Sequence, residues 1–157
     1  MNPIPPGYEG VTSYLIIRDA DKAIDFYKEA FEAKEVMRLD YPDGKVAHAE
    51  LKIGGGYLML SEEMASMNLK GPLSLGGTPV SLLVYVRDVD KVFDRAIAAG
   101  AENKRPVADQ FYGDRSGTLV DPFGHVWTIA THTKDMSPRD MQKAMESEME
   151  KPKADDA

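Results

Sequence analysis

The chain repeats itself. Arg18-Asp19-Ala20-Asp21-Lys22-Ala23-Ile24-Asp25 returns as Arg87-Asp88-Val89-Asp90-Lys91-Val92-Phe93-Asp94, one RD-x-DK-x-x-D pattern at a constant offset of 69 residues. The same offset lays Val11 on Val80, Thr12 on Ser81, Gly55 on Gly124 and Leu60 on Ile129, so the halves align without an insertion. Self-similarity at a fixed spacing is the signature of a duplicated supersecondary unit. A chain of 157 residues, 43% of them hydrophobic, is enough for one domain built of two such units around a shared core.

Each copy opens on a run rich in β-branched and aromatic residues, VTSYLII at 11–17 and VSLLVYV at 80–86, which reads as a strand. Asp19 and Asp88 stand where an N-cap belongs, and Ala23, Ile24, Tyr27 and Phe31 follow at helical spacing; Gly100 closes the second helix. After the first helix, KEVMRLDY, KVAHAELKI and YLMLSEE are separated by the turns PDG and GGG. The unit is therefore βαβββ. The second copy repeats it as AENKRPV, a loop ADQFYGDR, SGTLV, the turn DPFG and HVWTIATH. The expected fold class is α+β: modules at 9–63 and 79–133, a Gly/Pro-rich linker at 64–78 suited to cover a pocket, a C-terminal helix at 137–150 and a flexible tail at 151–157. The last helix starts with Ser137 as cap and Pro138 at its first position, and carries Met141, Met145 and Met149 as a stripe for packing on the body or on a partner subunit.

A net charge of -7 with no Lys/Arg cluster argues against a nucleic-acid partner. With no cysteine there is no disulfide, thiolate nucleophile or Cys-type zinc site, and a reducing compartment is the simplest expectation. The start of the chain has no basic segment followed by an apolar one, and no apolar run reaches the roughly 18 residues of a membrane span, so a cytoplasmic protein without membrane contact is expected.

The paired modules, RDADKAIDFYKEAF, DPFGHVW and ATHTKDMSPRDM together resemble the vicinal oxygen chelate superfamily, the glyoxalase, bleomycin-resistance and extradiol-dioxygenase group, and within it the phosphonate-metabolism B-like proteins of bacteria. The resemblance covers about residues 9 to 149. It implies that each module curls its mixed sheet into half a cup, that the halves enclose one cavity, and that the protein is a homodimer. It also implies where a metal would be held: near the start of each module's first strand and on each last strand. These positions fall on Thr12, Ser81, Met59 and Thr128. None is an imidazole or carboxylate, so no metal and no other cofactor is expected at them.

Alternation along the strands extends the cavity wall from those four residues to Tyr14, Ile16, Tyr57, Ser61, Leu83, Tyr85, Val126 and Ala130, and sends Trp127 and Ile129 to the helix side. Such a wall suits a flat or amphipathic organic molecule. On KVAHAELKI, His48 and Glu50 share one face; they are the candidate catalytic pair or, if ligands have migrated, a divalent-metal site, the alternative being a polar edge bond. His125 and His132 read as surface or satisfied residues. In the loop at 109–117, Phe111 and Tyr112 can form a lid, while Arg115 offers a guanidinium to an anionic ligand or pairs structurally with a neighbouring aspartate. Three functions fit: a metal-free binding protein for a small hydrophobic or aromatic compound, which the residues favour; a lyase, isomerase or dioxygenase with a site outside the family pattern; or an interaction module working through its Met-striped helix.

Overall fold

The computed structural model describes residues 1–153. The two β-rich runs form β1 (Ser13–Ile17) and β5 (Ser81–Tyr85), and the helices that follow are α1 (Ala20–Phe31) and α3 (Val89–Ala98). In α1 the residues buried are Ala20, Ala23, Ile24, Phe26, Tyr27, Ala30 and Phe31, the stripe that a 3.6-residue period presents to a core. Asp88 caps α3 as expected, its Oδ1 accepting from the Lys91 amide at 3.1 Å. Asp19 occupies the equivalent position in the left-handed region at φ 62 and makes no cap bond with its side chain. The Glu62 carboxylate takes over, accepting from the Asp19 and Ala20 amides at 3.1 and 2.7 Å, so a charge from the neighbouring strand satisfies the orphaned donors.

The first sheet adds β2 (Lys34–Asp40), β3 (Val46–Ile53) and β4 (Gly56–Glu62) in the order β1-β4-β3-β2. The second adds β6 (Glu102–Asp109), β7 (Asp114–Val120) and β8 (Val126–His132) in the order β5-β8-β7-β6. In each, the first strand runs parallel to the last and the rest are antiparallel, which is βαβββ twice. Two details differ from the sequence reading. The strand expected to stop at Val107 continues to Asp109, shortening the loop. The halves also do not align without insertion: Lys52 pairs with Tyr57 across the first module's turn, whereas Val120 pairs with Val126 across the second's, so that turn is one residue longer. The offset is 69 for β4 and β8, but β3 and β7 correspond at 68, and His48 therefore matches Ser116.

The modules lock together on the helix side. Helix α1 packs on α3, Phe31 lies 4.7 Å from the Trp127 ring and Tyr27 5.4 Å from it. The turn aspartate Asp121 is buried and accepts from the Phe123 and His125 amides, the Tyr27 hydroxyl and the Trp127 indole N–H at 2.9, 3.0, 2.5 and 3.0 Å. His125, also buried, donates from Nε2 to the Ile16 carbonyl at 3.3 Å. Because both helices cover one side of the paired sheets, the opposite faces stay open.

The linker holds a 3-10 turn (Ala65–Met67) and the short α2 (Pro72–Leu75); Pro72 lies so near Gly124 that a Cβ there would come within 2.8 Å of it, so this segment rests on the DPFG turn. Helix α4 (Pro138–Glu150) is capped by Ser137 and buries no residue against the body. Part of the expected tail, residues 154–157, lies outside the described residues. Among the described residues no helix is long and apolar enough to cross a membrane.

Candidate ligand-binding face

Cross-strand partners share a face of a sheet, so register identifies the open surface. In the first module Tyr14, Met59, Glu50 and Met37 stand opposite one another in turn across four strands. In the second the matching row is Leu83, Thr128, Thr118 and Arg105. The expected wall residues fall in these and adjacent rows: Ile16 pairs with Ser61, Tyr57 with Lys52, Ser81 with Val126 and Tyr85 with Ala130. Trp127 and Ile129 are buried on the helix side as parity required.

The face is open. Tyr14 on the inner strand of one sheet is 49% exposed, and Leu83 and Tyr85 on the inner strand of the other are each 57% exposed. At the seam between the sheets Ser13, Tyr57 and Leu82 to Val84 bound a cleft of 140 Å³, well below the ~300 Å³ at which ligand cavities begin. Larger hollows of 430 and 450 Å³ lie beside Tyr41 to Lys45 and between α1 and Pro122; neither gathers the sheet-face side chains. Thr12, Ser81, Met59 and Thr128 offer two kinds of hydroxyl and a thioether, which do not fit a divalent cation, and no trio of His, Cys, Asp and Glu close enough to hold one exists among the described residues.

His48 and Glu50 do meet, and they belong to a longer chain. The Tyr14 hydroxyl lies 2.8 Å from His48 Nδ1, His48 Nε2 lies 3.1 Å from Glu50 Oε1, and the Tyr8 hydroxyl donates to the other carboxylate oxygen. Hydrogen bonds from Tyr8 and then His48 hold the Glu50 carboxyl below its ordinary range. Desolvation first and the hydrogen bond to Glu50 second push the Tyr8 phenol up to about 12. Tyr8 also lies against Tyr57, ring centres 4.8 Å apart, so the segment before β1 closes one end of the first module's face. Sequence reasoning missed Tyr8 because it precedes the first periodic segment and carries no pattern of its own.

A second chain crosses the other module. Asp114, buried, accepts from the Tyr85 hydroxyl at 2.7 Å, and its other oxygen lies 2.8 Å from His132 Nδ1; His132 Nε2 lies 2.7 Å from Asp135. Asp135 and then Asp114 raise the His132 pKa, favouring the imidazolium. The Asp114 bond likewise raises the Tyr85 phenol. His132 is thus satisfied within a polar network rather than a lone surface residue.

Arg115 is not on this face. Alternation along β7 turns it, with Gly117 and Leu119, toward the helices, where it pairs with Asp90 at 2.8 Å and Asp109 at 3.3 Å; both aspartates raise its pKa. Of the structural pairings open to it, Asp90 and Asp109 are the partners rather than its neighbour Asp114. Arg105 is the guanidinium on the open face, its Nη2 3.4 Å from Ser116 Oγ. Tyr112 reaches the same hydroxyl at 3.4 Å, with the Phe111 ring 5.1 Å from its own. The signal for Arg105 is the alternation of Asp114, Ser116 and Thr118 along β7, which the sequence hides because Gly113-Asp114 has the character of a loop.

Two βαβββ modules that pack their helices on one side of two four-stranded sheets define a small α+β protein of the paired-module type. The chain belongs to the Glyoxalase/Bleomycin resistance protein/Dioxygenase superfamily, whose family model matches residues 11–129. It is 42% identical over 141 residues to an uncharacterized protein of Mycobacterium bovis, the match covering 88% of this chain and 93% of that one. Among solved structures it is similar to TioX from Micromonospora sp. ML1, with a TM-score of 0.62, 29% identity and coverage of 82% of this chain and 100% of that one. It shares its fold with a PhnB protein from Bacillus cereus described as a putative 3-demethylubiquinone-9 3-methyltransferase, at TM-score 0.63, 22% identity and coverage of 78% and 99%.

Proposed function

We propose that this protein binds a small, flat, largely apolar organic molecule on the open face of its paired sheets, without the divalent metal that many members of its superfamily use, and that it does so as a homodimer. The observation that carries the reading is the exposure of Tyr14 on β1 and of Leu83 and Tyr85 on β5, the strands whose Ser13 and Leu82 to Val84 bound the seam cleft. Aromatic and aliphatic side chains left in water on a surface rimmed by polar groups mark a binding site more often than chance. The hydroxyls of Thr12, Ser81 and Thr128 at the family's metal positions favour orienting a ligand over holding a cation.

A second reading rests on the Tyr14–His48–Glu50–Tyr8 chain. A phenol exposed to the ligand face and backed by imidazole and carboxylate can pass a proton to or from a bound molecule. On that reading the protein is an acid–base enzyme of the same superfamily, Tyr14 facing the substrate and His48 and Glu50 behind it. His48→Gln then abolishes turnover while leaving ligand affinity nearly unchanged, whereas in a pure binding protein there is no turnover to lose.

The test is titration with 2-naphthamide, a neutral flat aromatic, followed by backbone amide shifts with and without EDTA. Shifts centred on Tyr14, Met59, Leu83 and Thr128, unaltered by EDTA and lost in Leu83→Arg, are expected. Shifts confined to the helix side, or binding that EDTA removes, overturn the reading.

A further inference from the structure

The two sheet faces are unequal in a way that their common ancestry makes legible. At the corrected offset of 68, His48 of the first module corresponds to Ser116 of the second, Glu50 to Thr118 and Met37 to Arg105. The first module therefore sets an imidazole and a carboxylate where the second sets hydroxyls and a guanidinium. In a chain with net charge -7, Arg18, Arg38, Arg95 and Arg115 have carboxylate partners, whereas Arg87, Arg105 and Arg139 have none within 4.0 Å among the described residues, and of these three Arg105 is the one that lies within a sheet strand. Its one hydrogen bond, to a neutral hydroxyl, is at the long limit for such contacts.

From this geometry we infer that the second module's face carries an oxyanion-binding subsite built of Arg105, Ser116, Tyr112 and the Thr118–Thr128 hydroxyl pair, and that the ligand is an organic anion. The inference rests on the open-face reading above and names the class of molecule that face takes.

Donor counting supports it. The Thr118 and Thr128 hydroxyls lie 3.1 Å apart; one proton serves that bond and the other is left for a further acceptor. Arg105 donates to the buried Ser116 Oγ at 3.4 Å, and the Tyr112 hydroxyl lies at the same distance from it, so both contacts to this one hydroxyl are long. A carboxylate set beside Ser116 gives the guanidinium a charged partner and the spare hydroxyl protons an acceptor, and charge-assisted bonds are about twice as strong as the neutral contacts they replace. Two carboxylates share this face nearby: Glu102, opposite Val120, is neutralised by Lys104 at 2.9 Å, and Asp114, one pleat beyond Ser116 along β7, has its oxygens engaged by Tyr85 and a histidine held toward its charged form, so neither stands as an unpaired charge against an anion. In the same cross-strand row Leu83 stands at the seam, so a ligand with its anionic end at Arg105 lays its apolar body along exposed Leu83 toward Tyr14.

The experiment compares 2-naphthoate with 2-naphthamide by calorimetry, in the wild-type protein and in Arg105→Met. Arg105 lies on the surface, so the variant keeps the fold, which circular dichroism checks. The expected result is a preference of about tenfold for the carboxylate in the wild type, as one charge-assisted hydrogen bond supplies. That preference disappears in Arg105→Met, while the affinity for 2-naphthamide stays within about twofold. Equal affinities in the wild type, or a preference that survives the substitution, overturn the anion subsite and leave the open-face reading standing. Failure of both compounds to bind overturns both readings.

Discussion

At Asp121 a buried carboxylate accepts four hydrogen bonds, from two amides of its own turn, from Trp127 in the same module and from Tyr27 in the other. Asp121→Ala leaves two side-chain donors unpaired in apolar surroundings and two amides short of an acceptor, and about 3–5 kcal/mol of stability is expected to go. Tyr27→Phe removes one donor from a carboxylate that keeps three, for about 1–2 kcal/mol. Urea unfolding of both variants is the check; a loss under about 1 kcal/mol for Asp121→Ala sinks the claim that this residue joins the modules. The sequence announced DPFG as a turn and Tyr27 as a core position of its helix, yet nothing local links residues 94 positions apart. The same limit applied to the site. His48 and Glu50 were legible together because they sit two apart on one strand, whereas Tyr8 and Arg105 reach their partners only through the folded chain.

Strand alternation carried most of the correct reading of elements: once β1, β4, β5 and β8 are placed, register puts Tyr14 with Met59 on one face of the first sheet and Leu83 with Thr128 on the equivalent face of the second. Alternation fails wherever a single residue is gained, because a slip of one exchanges the faces. The longer β7–β8 turn is such a place, and so is the loop before β7, where the chain is pinned by backbone contacts. The Gly113 carbonyl accepts from the Thr133 and Lys134 amides, both at 2.9 Å, tying that loop to the segment after β8. Gly113 has φ +93, and a Cβ there would stand 2.2 Å from the Lys134 carbonyl oxygen. Gly44, at φ +85, has nothing within 4 Å of the same position. Both glycines supply a left-handed turn, but only one is hemmed in by backbone. Gly44→Ala is therefore expected to cost about 1 kcal/mol and Gly113→Ala at least about 3, since the backbone itself must move. Equal thermal shifts for the two variants contradict this account of the loop.

For the whole molecule, duplication was readable from one repeated octapeptide, and with it the fold; the way two modules meet was not, because it depends on the helix-side packing of Phe26, Tyr27 and Phe31 against Phe123 and Trp127. That packing leaves Tyr14, Leu39, Leu83 and Tyr85 exposed on the far side. It also leaves α4 with no buried residue and its Met141 and Met145 only half covered, so the stripe read from the sequence as a packing surface finds no matching surface on its own body. Apolar surface left free in two places on one chain is most economically covered by a second copy, since a symmetric pair buries each patch twice. Light scattering is accordingly expected to give twice the 17.3 kDa of the chain. The double substitution Met141→Glu and Met145→Glu sets charge on the stripe without disturbing the helix, because both positions accept a good helix former. It is expected to return the mass to that of one chain with an unchanged far-ultraviolet spectrum. A wild-type mass of one chain removes the dimer; a double variant that stays paired moves the contact from α4 to the open sheet face, where it would compete with ligand and make 2-naphthamide affinity fall as protein concentration rises.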